Sequence, residues 1–240
     1  MYWKQKDFFK LIFKYKSYLL IIMGKIKFVY WKVAARAQAA MLMLHACEED
    51  YNWDYETANK WPESKNDTPF KQLPVMYDEN NNLIAQSGAI TRYCAKIAKL
   101  LPNIPIQCAK TEMVMEQTND IYDLMVKCKY AGDEEAQINA WREFKEKKLH
   151  EKLIPLNDML TQEFFGGSIP DAGDICVFSI INLIVRAGIK DCLIDYKKLY
   201  DHYTRVYLTG SIKDYVKENP EVYFVYKEKS TEKNVLSNSM

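Results

Sequence analysis

The sequence predicts an α/β half followed by an all-helical half within one chain of 240 residues. Three observations predict it. Between residues 24 and 101, short β-type runs alternate with helical patterns in the order β-α-β-α-β-β-α. At Leu101–Pro105, LPNIP sets two prolines within five residues and interrupts that alternation. Beyond it, the apolar positions recur with the period of a helix. The expected divisions are an N-terminal extension at 1–23, an α/β domain at 24–101, a linker at 102–106, a helical domain at 107–227 and a polar tail at 228–240.

Composition narrows the class. With 48% apolar residues and a formal net charge of +1, the chain can bury an ample core, and nothing in its balance favours nucleic acid. Cys47, Cys94, Cys108, Cys128, Cys176 and Cys192 show neither CxxC nor zinc-type spacing, and His45, His150 and His202 are scattered. Reduced thiols in a cytoplasmic protein without a metal are the expectation.

Residues 1–23 stand apart. Five lysines against Asp7 make this segment +4, so a chain of +1 leaves −3 in the rest. The apolar run Tyr18–Met23 is too short to span a bilayer. Three readings stay open: an added or misassigned start, with Met23-Gly24 beginning the natural chain; a helix lying on a membrane surface; and a weak signal anchor.

Lys25–Tyr30 alternates charged and apolar residues and ends on an aromatic pair, Tyr30-Trp31, which predicts the first strand. Ala34–Cys47 carries Ala, Met and Leu at helical spacing. Tyr51–Tyr55 is aromatic enough for a second strand, while Glu56–Thr68 is polar and broken by Pro62, so the second crossover should be loop-like.

The stretch Gln72–Ile97, QLPVMYDENNNLIAQSGAITRYCAKI, organises this half. It reads as a strand approached through Leu73-Pro74, a polar turn at Asp78–Asn82, a strand at Leu83–Ala85 and a helix opening at Gln86-Ser87. A proline before the first paired residue leaves no ladder bond unmade, and a cis bond there would turn the Leu73 backbone outward as an edge for an extended peptide. Ser87 at a helix start offers free N–H groups and the positive end of the helix dipole to a carboxylate. A peptide edge beside an anion site suits a small acidic peptide.

In the second half, Thr111–Lys129 and Glu134–Leu160 are amphipathic, and Asp171 and Asp174 stand at N-cap and first-turn positions before the apolar run Ile175–Val185. Capping is expected of them rather than catalysis. Leu199–Leu208 and Ile212–Lys217 supply further helix.

The Leu-Pro strand, the hairpin and the Gln-Ser helix resemble the glutathione-binding, thioredoxin-like half of a cytosolic glutathione transferase. Upstream, KFVYWKVAARAQAAMLML at Lys27–Leu44 resembles the mu class, where a Tyr-Trp pair ends the first strand, with the sigma class next. The resemblance covers roughly residues 24–220. It implies a homodimeric enzyme that adds the thiolate of glutathione, a co-substrate rather than a cofactor, to small hydrophobic electrophiles in detoxification.

The resemblance also implies the site. Tyr30 corresponds to the catalytic tyrosine whose hydroxyl donates to the sulfur. Gln86 and Ser87 would take the γ-glutamyl carboxylate, Leu73 would pair with the cysteinyl backbone, and Gln72 would offer an amide. Trp61 and Lys65 resemble the pair that meets the glycine carboxylate, and Trp31 would border the ligand. Asp120 matches a residue that reaches the γ-glutamyl ammonium of the partner subunit's ligand. Tyr130 falls at a second tyrosine that faces the electrophile as a general acid.

Two departures matter. Ala34 and Ala35 stand where the mu class has an Arg-Gly pair, and no arginine stands near Ala58. Two other readings accompany the conjugating enzyme: a sigma-like glutathione-dependent isomerase, and a ligand carrier or structural protein on the same fold.

Overall fold

The computed structural model describes residues 25–61, 63–209 and 211–218. The readings made for residues 1–23, Pro62 and the tail at 228–240 lie outside these. The chain divides into two compact units. Of the described residues, one unit holds those up to Cys108 and those from Val206 onward, and the other holds Ala109–Arg205.

The first unit has the expected order of elements. Strand β1 (Ile26–Val29) runs parallel to β2 (Tyr51–Asp54) and antiparallel to β3 (Val75–Tyr77), which pairs with β4 (Leu83–Ala85), giving the spatial order β2-β1-β3-β4. The period of two in IKFV buries Ile26 and Phe28 completely and turns Lys27 to the other face. There its ammonium lies 4.4 Å over the ring of Tyr77, its cross-strand partner.

Helix α1 spans Gln38–Ala46, four residues later than the alanine-rich sequence suggests. A tight turn takes the intervening residues: the Val33 N–H donates to the Trp31 carbonyl (2.7 Å), and the Gln38 N–H to Ala35 (3.0 Å). Ala40, Met41, Leu42, Met43 and Leu44 are all fully buried, each large side chain contributing about 1.5–3 kcal/mol.

The second crossover is more ordered than its polar sequence suggests. It holds a short helix α2 (Tyr55–Asn59) and a 3₁₀ turn at Glu63–Asp67. Asp54 starts α2 by accepting from both the backbone N–H and the hydroxyl of Thr57 (2.9 and 2.8 Å). At the hairpin, the Asp78 carboxylate accepts from Asn82 Nδ2, Asn82 N and Asn80 N, contacts that hold its carboxyl below the usual range, the Asn82 amide foremost. Helix α3 (Ser87–Ile97) follows β4 and packs on α1.

Helix α4 (Pro105–Lys129) opens on a proline, the residue whose missing N–H costs least in a first turn. In the second unit, α5 (Glu134–Glu143) passes through one π turn at Phe144–Lys148 into α6 (Leu149–Met159). The centre is α7 (Ala172–Arg186), buried on every side through Ile184. Asp171 and Asp174 form a complete capping box at its start. The Asp174 carboxylate also accepts from Phe165 N (2.8 Å) and Gly166 N (3.3 Å), and His202 on α8 (Lys197–Tyr207) lies 2.7 Å from it.

The last described helix, α9 (Ile212–Glu218), belongs to the first unit and packs on α1. The Ser211 hydroxyl donates to the His45 carbonyl (2.8 Å), the Tyr215 and His45 rings lie 5.4 Å apart, and the Tyr215 hydroxyl reaches Met41 Sδ at 3.8 Å.

The candidate functional site

Strand register assembles the site. Val75 pairs with Val29 on one side and with Ala85 on the other. Tyr30 follows Val29, Leu73-Pro74 precedes Val75 and Gln86-Ser87 follows Ala85, so antiparallel pairing delivers all three to the same end of the sheet.

At that end, Tyr30 is 5% exposed, and its carbonyl accepts from the indole Nε1 of Trp53 (3.0 Å). The Trp31 ring is tilted against Tyr30 at 5.6 Å and meets Trp61 edge-on at 6.2 Å and 81°, within the preferred range for aromatic pairs. Trp31, Leu73, Tyr77 and Ala85 pack on the buried trio Val29, Ala58 and Val75. The ammonium of Lys65, an exposed residue, lies 6.0 Å from the Trp61 ring centre. The spacing of WPESK thus brings Lys65 to Trp61, whose ring in turn meets Trp31.

The Leu73-Pro74 bond is cis. Ladder pairing of β3 starts at Val75, so the N–H and C=O of Leu73 lie ahead of the first paired residue. Gln72, just before it, is exposed.

Gln86 has φ +73° and ψ 118°, a left-handed conformation that costs a non-glycine residue about 1–3 kcal/mol. Its side chain makes no cap to α3. Ser87 then stands in the first turn, where unsatisfied N–H groups and the helix dipole favour an anion. Thr91 braces that turn by donating to the Ser87 carbonyl (2.8 Å).

The departures noted in the sequence have structural counterparts. Ala58 is fully buried between Val29 and Val75, so no ligand contact comes from that position. Ala34 and Ala35 are buried in the turn before α1.

Asp120 and Tyr130 belong to the second unit and share α4 and its end. Asp120 is exposed and paired with Lys152 Nζ at 2.7 Å, a contact worth under about 1 kcal/mol at such a surface. Tyr130 is 67% exposed, one residue past the helix.

Trp53 is the residue at this end of the sheet that sequence reasoning missed. In YNWDY it counts only as an aromatic of a strand, and its reach to Tyr30 depends on the parallel register of β1 and β2.

Two family descriptions match the chain: glutathione S-transferase, N-terminal domain, over residues 26–96, and glutathione S-transferase, C-terminal domain, over residues 119–219. The chain is 28% identical over 138 residues to glutathione S-transferase 1 of Ascaris suum, covering 57% of this chain and 63% of that protein. It is 26% identical over 204 residues to glutathione S-transferase 4 of Caenorhabditis elegans, covering 81% of this chain and 96% of that one. To probable glutathione S-transferase 6 of Caenorhabditis elegans it is 31% identical over 94 residues, covering 39% of this chain and 45% of that protein, so this match and the Ascaris suum one each span less than two thirds of the relative's length. Among solved structures, the fold superposes on rat hPGDS complexed with a quinoline with a TM-score of 0.75 at 20% identity, covering 82% of this chain and 98% of that one.

Proposed function

This chain belongs to the glutathione transferase family, and on that premise we propose that it transfers the thiolate of glutathione to small hydrophobic electrophiles. The observation that carries the reading is the meeting of Tyr30, Leu73 and Ser87 at one end of the sheet through the paired residues Val29, Val75 and Ala85. A hydroxyl, an unladdered backbone and a helix N-terminus in one row suit a thiol-bearing acidic peptide.

The chemistry follows from the thiol. An unperturbed thiol near pKa 8.5 is only about 3% ionised at pH 7. Lowering that pKa by about two units raises the thiolate fraction some twenty-fold and requires about 2.7 kcal/mol of differential interaction. A phenol donating to the sulfur from a site largely closed to water supplies a good part of this. Tyr30 is that donor in the proposal. The thiol proton leaves to solvent, the thiolate forms the new carbon–sulfur bond, and the electrophile releases its halide or receives a proton on its oxygen.

Gln86 and Ser87 take the γ-glutamyl carboxylate, Leu73 pairs with the cysteinyl backbone, and Gln72 supplies an amide. Trp61 and Lys65 receive the glycine carboxylate, with Trp31 between them and the sulfur. Tyr130 and Asp120 enter through the resemblance alone, Tyr130 as proton donor and Asp120 as the residue serving the partner subunit's ligand in a homodimer. Within the family, the Tyr30-Trp31 strand end favours a reading nearest the mu class over the sigma class. The reaction needs no cofactor beyond glutathione as co-substrate, and a cytoplasmic setting suits the six thiols. Among the described residues no helix is long and apolar enough to cross a membrane.

The test is conjugation of a chromogenic aryl halide by the full chain and by Tyr30→Phe. The parent turns over, whereas the variant binds glutathione but loses most of its rate and its thiolate absorbance. A folded parent that binds glutathione with neither turnover nor a thiolate signal would leave a carrier in place of the enzyme.

A further inference from the structure

We infer that Trp53 is a positioning residue for the Tyr30 hydroxyl, acting through the hydrogen bond from its indole N–H to the Tyr30 carbonyl. The inference rests on the reading of Tyr30 as the thiolate donor. Ladder pairing between β1 and β2 ends at Val29↔Asp54, and β2 turns directly into α2 at Tyr55. The Tyr30 carbonyl therefore lies past the last ladder pair, on a residue almost wholly out of solvent. Trp53 is paired with Phe28 and reaches two residues along the neighbouring strand to meet that carbonyl at 3.0 Å.

The geometry explains why this donor matters to a hydroxyl on the same residue. A bond to a carbonyl fixes the plane of the peptide that follows, here Tyr30–Trp31, and with it ψ of Tyr30. One residue on, the Trp31 carbonyl is held by the Val33 N–H at 2.7 Å. Two successive peptide planes are thus fixed at the strand exit, from which the Tyr30 and Trp31 rings diverge with 56° between them. An indole is well suited to this. It is a donor only, carried on a rigid ring with two rotatable bonds, and it cannot swing to another acceptor as a lysine or glutamine could. Without it, the tyrosine keeps its pocket but loses its fixed approach to the sulfur, and small misplacements of reacting groups are costly.

The experiment compares the full-length parent, Trp53→Phe and Tyr30→Phe in aryl halide conjugation across pH, with the thiolate absorbance of bound glutathione recorded for each. At saturating glutathione, Trp53→Phe is expected to move the pH profile of kcat/KM for the aryl halide upward by roughly half to one pH unit, and so to lower the rate at pH 7 roughly one-and-a-half- to threefold. The KM for glutathione should change less than about twofold, because the Trp53 indole bonds the Tyr30 carbonyl and not a group proposed to hold either carboxylate of the peptide. A rate lowered equally at every pH, with the profile unmoved, would make Trp53 a packing residue only and overturn the inference. If Tyr30→Phe itself leaves the profile unmoved, the thiolate reading fails and takes this inference with it; a shift for Tyr30→Phe alone removes only the role of Trp53. Should the phenylalanine variant fold poorly, replacing Trp53 by the benzothiophene analogue of tryptophan decides by the same criteria, since sulfur there takes the place of the N–H and the ring volume is kept.

Discussion

His202 Nε2 lies 2.7 Å from Asp174 Oδ1, and both side chains are wholly out of solvent. The same carboxylate accepts three backbone N–H groups, from Phe165, Gly166 and Asp171. It therefore ties the loop before α7, the start of α7 and α8 to one buried acid. Removing the acid strands four donors, while removing the imidazole strands part of one acceptor. Asp174→Ala should cost about 4 kcal/mol, and His202→Phe, which keeps ring volume beside Phe164 and Phe165, about 2 kcal/mol. Urea unfolding measures both, and the reverse order would show that the histidine, not the carboxylate, is the hub.

Asp171 carries a pH signature. Burial, followed by the charge of Asp174, pushes its carboxyl up from 3.8 to about 6. A raised acid stabilises the fold fully below its unfolded value, and that contribution is lost as pH rises through the folded value. The parent should therefore lose stability between about pH 4 and pH 6.5 relative to Asp171→Asn, by at most about 3 kcal/mol. Melting temperatures of the two proteins across that range test it. A constant difference would mean that the carboxylate accepting from Gly173, Asp174 and Thr111 titrates as it does in the unfolded chain.

Gln86 should trade stability for binding. Gln86→Gly removes the cost of a left-handed side-chain-bearing residue and should raise stability by about 1 kcal/mol. It also deletes the amide proposed to meet the γ-glutamyl carboxylate, so glutathione affinity should fall several-fold. Calorimetry of glutathione binding beside a thermal melt reads both, and unchanged affinity would remove the Gln86 side chain from the proposed site.

Lys65 can be separated from the rest of the peptide site with a shorter ligand. If its ammonium meets the glycine carboxylate, Lys65→Ala should raise the KM for glutathione by roughly threefold to tenfold. The same variant should leave γ-glutamylcysteine, which lacks that carboxylate, almost unaffected. Equal losses with both thiols would place Lys65 elsewhere.

Legibility in the sequence followed the range of the interactions. The segment from Leu73 to Ser87 was readable almost residue by residue, because proline, the Asp78–Asn82 turn and the helix start each act over a few positions. The capping pair Asp171 and Asp174 was readable for the same reason. The start of α1 was misjudged because alanine propensity says nothing of the Trp31–Val33 turn that delays it. Trp53 and His202 were invisible as partners. Their contacts span 23 and 28 residues and exist only once strand register and helix packing have brought the groups together. The end of the sheet that carries the candidate site was thus legible in its local parts, and its bracing was not.

The return of α9 to the first unit sets an order of events during synthesis. Met41 and the face of α1 that Tyr215 and Ser211 cover belong to residues made early, whereas the covering helix is among the last of the described residues to emerge. At ordinary elongation rates that interval is roughly ten to thirty seconds. Through it the nascent N-terminal unit leaves that face of α1 uncovered, and its folding completes only after the helical unit has left the exit tunnel.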